Sequence, residues 1–222
     1  MTSDSGLLDR RALASAVRGM CDVMLESIDE ITDADRAIGD GDHGLAIGRG
    51  FRAARDVLDE PGTDIGELFE AIGRAMLISM GGAAGPIYGT LYQRGGRALR
   101  GRSDFGSEAL AVFLEGGLAG VQERGGAKVG DKTMVDALQP AAAAARASAS
   151  RPLSESIAAV MDAADAGLER TRGLQARMGK ARALGERSIG HLDPGALSFT
   201  LMIRGLARSV TDATDNPRIS SA

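Results

Sequence analysis

Eleven residues near the start of the chain, Ala34-Asp35-Arg36-Ala37-Ile38-Gly39-Asp40-Gly41-Asp42-His43-Gly44, gather three aspartates, three glycines and one of the two histidines in the sequence. Carboxylates this close repel one another unless a positive charge lies between them. Mg²⁺ is the usual answer, because it takes hard oxygen ligands and brings phosphates with it. The glycines let the backbone bend tightly. The spacing predicts one helix ending near Asp29–Ile31 and another beginning near Leu45. The carboxylates then lie in a turn at a helix N-terminus, where free N–H groups and the helix dipole favour an anion such as phosphate. The pattern reads as a metal–nucleotide site, with solvated aspartates at an ordinary N-cap as the plain alternative. A calcium loop beginning at Asp40-x-Asp42 is a third reading and fails. It requires a bidentate Glu at its twelfth position, where Phe51 stands.

The elements that must hold this stretch read as helices. The chain has 222 residues, 44% of them hydrophobic but only 3% aromatic and none Trp, so its core must be aliphatic and Met-rich, a mixture that suits helices. A first helix is expected from Leu7 to about Ile31, its stripe being Leu13, Ala16, Val17, Met20, Met24 and Ile28. A second runs about Leu45–Leu58, stopped by Asp59-Glu60-Pro61-Gly62, and a third about Ile65–Met80, capped by Thr63-Asp64. The fourth, about Ile87–Leu99, follows Gly81-Gly82-Ala83-Ala84-Gly85-Pro86, and the fifth ends near Arg124. Asp131 is expected to cap a sixth helix starting at Lys132, with Pro140 kinking it or marking its true start. The seventh spans about Leu153–Gly173, and a loop from about Ala176 leads to the eighth, from Asp193-Pro194-Gly195 to about Val210. No strand is expected, and Thr211–Ala222 reads as a frayed tail.

The expectation is therefore an all-α, up-down antiparallel eight-helix bundle or barrel, one domain over 1–222 with an ordered core of about 7–211. In such a bundle alternate loops share an end. The four glycine- and charge-rich loops, after the first, third, fifth and seventh helices, then meet at one end and form one site.

Net charge is −4, with both signs interspersed and no basic run, which speaks against a nucleic-acid partner. No apolar run reaches the length of a membrane span. Met1–Ser5 carries no signal-peptide pattern, so a cytoplasmic protein without a membrane partner is expected. Cys21 lies on an apolar helical stretch and reads as a core residue.

Taken together, Ile38-Gly39-Asp40-Gly41-Asp42-His43-Gly44, Gly81-Gly82-Ala83-Ala84-Gly85-Pro86, Gly130-Asp131-Lys132-Thr133-Met134 and Leu184-Gly185-Glu186-Arg187-Ser188-Ile189-Gly190-His191 with Asp193-Pro194-Gly195 resemble the nucleotide-binding L subunit of dihydroxyacetone kinases, DhaL. The resemblance covers nearly the whole chain, with the motifs in the family's order. It implies an eight-helix barrel with ADP or ATP at one end and two Mg²⁺ ions, as kinases commonly use. By the same likeness Asp35, Asp40 and Asp42 would hold the metals. His43 and Gly44 would touch phosphates beside Leu45 and Ala46. Further nucleotide contacts fall on Ala83, Ala84, Gly125, Thr133, Met134, Lys180, Asp193, Pro194 and Gly195.

Three positions depart from the best-known form of the family. Ala84 stands for a serine, Ala46 for an asparagine, and Lys180 for an arginine, keeping charge but losing the bidentate fork. They fit a branch acting on a different small keto-sugar. Lys180 is the candidate catalytic residue, adding positive charge near the moving phosphoryl group. The family also implies a separate K subunit that captures the ketone covalently on a histidine. The phosphoryl source is either exchangeable ATP or a phosphotransferase-system protein that recharges bound ADP. A non-catalytic, nucleotide-loaded module that signals to a transcription regulator is the alternative. Among the remaining polar residues, Lys132 reads as solvated or as a phosphate ligand, Glu186 and Arg187 as a loop ion pair, His191 as structural or a contact, and Met134 as core by default.

Overall fold

A computed structural model describes residues 7–215, with side chains described through Thr211. Nine α-helices lie among these residues: α1 Arg10–Glu26, α2 Ile28–Ile38, α3 His43–Asp56, α4 Ile65–Ser79, α5 Ala84–Ala98, α6 Ser107–Gly125, α7 Val135–Ala147, α8 Leu153–Arg170 and α9 Pro194–Asp215. Short strands β1 Leu8–Asp9 and β2 Asp104–Phe105 pair antiparallel, against the expectation of no strand. Short 3-10 turns cover Thr171–Gly173 and Lys180–Ser188, so the long loop before the last helix has structure of its own.

The helices close into a ring. Each of α3 to α9 packs on the next, and α9 returns to α1, which meets α3. Eight helices thus form the barrel, and α2 lies over its end against α3 and α9. Cross-helix contacts run antiparallel. On α4 and α5, for example, a Cβ at Gly66 would come 2.6 Å from Gly96 O, and one at Gly73 would come 2.8 Å from Gly89 O. Glycine at these points lets the two backbones approach closely. Inside the ring sit Leu13, Phe51, Tyr88, Tyr92, Phe199 and the methionines 20, 24, 76 and 202, all buried.

Local chemistry sets the ends. Asp9 caps α1 through Ala12 N–H at 2.8 Å, and Asp64 caps α4 through Gly66 N–H at 2.7 Å. Asp64 also takes Gly101 N–H at 2.7 Å, joining the start of α4 to the end of α5. Gly126 closes α6 in the left-handed region at φ 70°.

The expected first helix is two. Ser27 turns its hydroxyl onto Val23 O at 2.8 Å and breaks the run. Its stripe from Leu13 to Met24 is buried as expected, while Ile28 opens α2 and is half-buried. α2 then continues to Ile38, so Asp35 lies on a helix and not in the turn. α3 and α5 begin two and three residues earlier than expected, at His43 and Ala84.

The sixth expected helix starts at Val135, not Lys132, and runs through Pro140. Asp131 caps nothing there; it accepts Lys128 N–H at 2.8 Å and closes a turn. Proline has no N–H for Asp136 O, and Gly167 of α8 lets the helices close on that carbonyl, 2.4 Å from where a Cβ would sit. The last helix extends past Val210 to Asp215, and the rest of the expected tail lies outside the described residues. None of the described helices is long and apolar enough to cross a membrane.

Candidate functional site

The N-termini of α3, α5, α7 and α9 point to the same end of the barrel and surround one cavity of about 380 Å³. It is lined at α3 by Asp42, His43 and Ala46, at α5 by Ala83 and Ala84, at α7 by Thr133 and Met134, and at α9 by Asp193, Pro194 and Gly195. Each helix N-terminus brings the positive end of its dipole, although at α7 Val135 N–H is taken by Thr133 Oγ1 at 3.2 Å and at α9 Ala196 N–H is taken by Asp193. Converging helix dipoles favour an anion, and this convergence is what alternation of the glycine-rich loops predicts.

On one side stand the carboxylates. Asp35 rises from the last turn of α2, Asp40 follows Gly39, and Asp42 is the N-cap of α3. Each offers an oxygen lying within 4.8 Å of the others. Asp35 also accepts His43 N–H at 3.1 Å. Lys180 reaches across from the loop before α9 to pair with Asp40 and, at 3.1 Å, with Asp42. That hydrogen bond holds the Asp40 carboxyl below its usual range and raises the Lys180 ammonium. A set of hard, anionic oxygens this close fits Mg²⁺ by donor chemistry. The other side is apolar, with Ile87, Val121, Ala127, Met134 and Met178 facing the same space, as a flat heterocycle needs.

Behind the first layer His43 is fixed by a relay. Its Nε2 lies 2.9 Å from Ser198 Oγ, and Tyr88 donates to the same oxygen at 2.9 Å. Burial pushes the imidazole pKa down, against Asp35 and Asp42, so the ring stays neutral near pH 7. Asp193, buried in the wall of the cavity, caps α9 through Ala196 N–H at 2.7 Å, yet burial lifts its pKa to about 7. Asp136 is buried and takes Gly130 N–H at 2.6 Å and Thr133 N–H at 2.8 Å, shaping the loop before α7.

Of the residues singled out in the sequence, Asp35, Asp40, Asp42, His43, Ala46, Ala83, Ala84, Gly125, Thr133, Met134, Lys180, Asp193, Pro194 and Gly195 line the cavity. Gly44 and Leu45 do not. Gly44 packs α3 on α2, where a Cβ would fall 2.0 Å from Thr32 Oγ1, and Leu45 faces outward. Lys132 is buried rather than solvated, because its ammonium bonds two backbone carbonyls. Glu186 and Arg187 are both exposed and form none of the ion pairs among the described residues. His191 is exposed and contributes only its carbonyl to this network. Sequence reasoning missed Ser198, Tyr88 and Asp136. Only Asp136 had a visible signal, as an acid inside the apolar run Met134-Val135-Asp136-Ala137-Leu138.

The family model described as the DAK2 domain matches residues 37–208. The chain belongs to the DAK2 domain family. Its likeness to DhaL holds at full length: it is 38% identical over 203 residues to the Escherichia coli K12 "PEP-dependent dihydroxyacetone kinase, ADP-binding subunit DhaL", spanning 90% of this chain and 97% of that protein. A Mycolicibacterium smegmatis "D-erythrulose kinase" is 32% identical over 222 residues, covering 96% of this chain but 38% of that protein. Among solved structures of the family, the dihydroxyacetone kinase from C. freundii in complex with AMP-PNP and Mg²⁺ superposes with a TM-score of 0.71 at 28% identity. The superposition covers 89% of this chain and 33% of that kinase, so the chain spans about a third of its length.

Proposed function

We propose that this chain is the ADP- or ATP-binding, Mg²⁺-dependent subunit of a dihydroxyacetone-type kinase. It would transfer a phosphoryl group to the primary hydroxyl of a short ketose held by a separate K subunit. The observation that carries this reading is the three-carboxylate set beside four converging helix N-termini in one cavity. The binding of AMP-PNP and Mg²⁺ by the C. freundii kinase and the naming of the E. coli relative as an ADP-binding subunit support it.

Asp35, Asp40 and Asp42 would hold two Mg²⁺ ions. Bound there, the ions would neutralise the phosphate chain and the charge that develops on the transferred group. The α3 and α5 N-termini orient the phosphates through backbone N–H groups. Ile87, Val121, Met134 and Met178 cover the base and exclude water. His43, its ring held by Ser198, would touch the phosphates at the head of α3. Lys180 delivers one more positive charge beside Asp40 and Asp42, making it the candidate catalytic residue. We read residues 1–222 as one domain, acting in the cytoplasm without nucleic-acid or membrane partners.

The acceptor is dihydroxyacetone or a tetrulose; the likeness to an erythrulose kinase supports the second. Relatives named as PEP- and PTS-dependent support a phosphotransferase-system donor protein. The test is reconstitution. The purified chain should not phosphorylate either ketose, and a matching K subunit should restore turnover with ATP or with the donor proteins. Robust kinase activity of the chain alone would refute the division of labour. Mg·ADP binding with no turnover under any pairing would favour a signalling module instead.

A further inference from the structure

Lys132 is the one non-glycine residue with positive φ, 60°, among those described. That conformation is unfavourable for any residue with a Cβ. Its side chain is only 2% exposed. The ammonium donates to Thr171 O at 2.5 Å and to His191 O at 2.5 Å. These two carbonyls are the stems of the segment Arg172–Gly190, which carries Lys180 to the carboxylates. The stems meet again where Gly190 N–H donates to Arg172 O at 2.8 Å, and Thr171 Oγ1 receives Asp193 N–H at 3.0 Å. Two buried carboxylates, Asp136 and Asp193, act on the ammonium from the α7 and α9 sides. Arg172 opposes them. Lys132 therefore enters the junction from a neighbouring loop, the one that brings Thr133 and Met134 to the cavity.

We propose that Lys132 is a positioning residue: its buried ammonium staples both stems of the Arg172–Gly190 loop to the loop bearing Thr133 and Met134, and so sets Lys180 against Asp40 and Asp42. One charged donor serves both stems, and charge-assisted bonds are the strong ones; the neutral bonds beside it are Gly190 N–H to Arg172 O at 2.8 Å and Arg177 N–H to Asp131 O at 3.1 Å. The staple stands on geometry alone; its consequence for phosphoryl transfer rests on the function proposed above. An ammonium has three donors, and Lys132 also borders the cavity. A direct phosphate contact is the competing role.

The experiment compares the full chain with Lys132→Met. Amide hydrogen exchange is followed without nucleotide, together with tryptic cleavage at the exposed Arg177, Arg182 and Arg187. Exchange across 172–190 should quicken by about tenfold or more while α4–α6 stay as in the parent. New cuts should appear in that loop, and with the K subunit kcat should fall further than Mg·ADP affinity. Unchanged exchange in 172–190 overturns the staple, and if Mg·ADP binding is lost at the same time Lys132 is a direct phosphate ligand. Exchange that quickens evenly over the whole chain also overturns it. Should Lys132→Met fail to fold, Lys132→Gly, which suits the positive φ and also removes the ammonium, is measured by the same criteria. If the parent with its K subunit gives no turnover, the functional reading fails, and the exchange data still decide the staple.

Discussion

Lys180 and Asp193 face the same cavity with opposite demands. Lys180 is exposed, and its ion pairs with Asp40 and Asp42 add little to stability in water. Its removal should therefore leave the melting temperature almost unchanged. If it stabilises the transferring phosphoryl, Lys180→Ala should lower kcat about 10²-fold or more while Mg·ADP affinity changes far less. Equal losses in both would make it a ground-state phosphate clamp, as steady-state kinetics beside calorimetry would show. Asp193 is buried in the cavity wall, and burial raises its carboxyl from the ordinary 3.8 to about 7 despite Lys132 and the Ala196 N–H. A carboxyl whose folded pKa is raised adds stability that is complete below about pH 4 and lost as pH rises through about 7. Lys132, Asp136 and the Tyr88 hydroxyl face it from the neighbouring elements. Asp193→Asn keeps the capping oxygen and removes the titration. Thermal melts from pH 4 to 8 should lose this group's downward slope in the variant. A parent curve and an Asn curve that run parallel would show that Asp193 does not titrate in this window.

The three carboxylates proposed to hold the metal are placed by a helix–turn–helix whose closeness depends on one glycine. A Cβ at Gly44 would lie 2.0 Å from Thr32 Oγ1 and 2.5 Å from Ile28 O, and the carbonyl belongs to backbone that cannot step aside. Gly44→Ala should push α2 from α3 and separate Asp35 from Asp42. A loss of about 1–3 kcal/mol in denaturant melts, with a weaker Mg·ADP response, is expected. Gly82→Ala offers the contrast, since its Cβ would meet no atom within 4 Å and the only cost is its φ of 63°. The element scale is also where the sequence was legible and where it failed. Caps such as Asp64 and Asp193, and the α1 stripe, are local signals and appear as read. The break at Ser27 does not, because an apolar period continues through it and only a hydroxyl-to-carbonyl bond marks the turn. The burial of Lys132 was hidden for a related reason: its ammonium bonds two carbonyls 39 and 59 residues away, and no local pattern carries that. The His43–Ser198–Tyr88 relay spans up to 155 residues and was invisible in the same way.

At the scale of the whole barrel, the question is how ligand binding at one end stabilises the fold. Ring closure by α9 on α1 makes every helix depend on two neighbours, so the four N-termini are held together by the core below them. Like charge gathers at that end in Asp35, Asp40 and Asp42, and Lys180 offsets part of it. The carboxylate cluster alone is therefore a smaller burden on the fold than the sequence suggests. Mg·ADP should stabilise the chain, and neither component should do so well alone. With ligand at about 100 times its dissociation constant the gain is about 2.7 kcal/mol. At roughly 2–4 °C per kcal/mol for a chain of this length, the expected rise in melting temperature is on the order of 5–10 °C. Asp40→Ala should remove most of that rise. With EDTA it should melt within a degree or two of the parent, since losing a carboxylate relieves repulsion but also costs Lys180 a partner. Asp35→Ala should respond less well still, because it also frees His43 N–H at the head of α3. The measurement is a set of thermal melts for the parent and the three alanine variants, with Mg·ADP and with EDTA. A full Mg·ADP rise in Asp35→Ala, Asp40→Ala and Asp42→Ala alike would put the metal elsewhere. The four converging helix ends would then have to hold the phosphates without the carboxylates beside them.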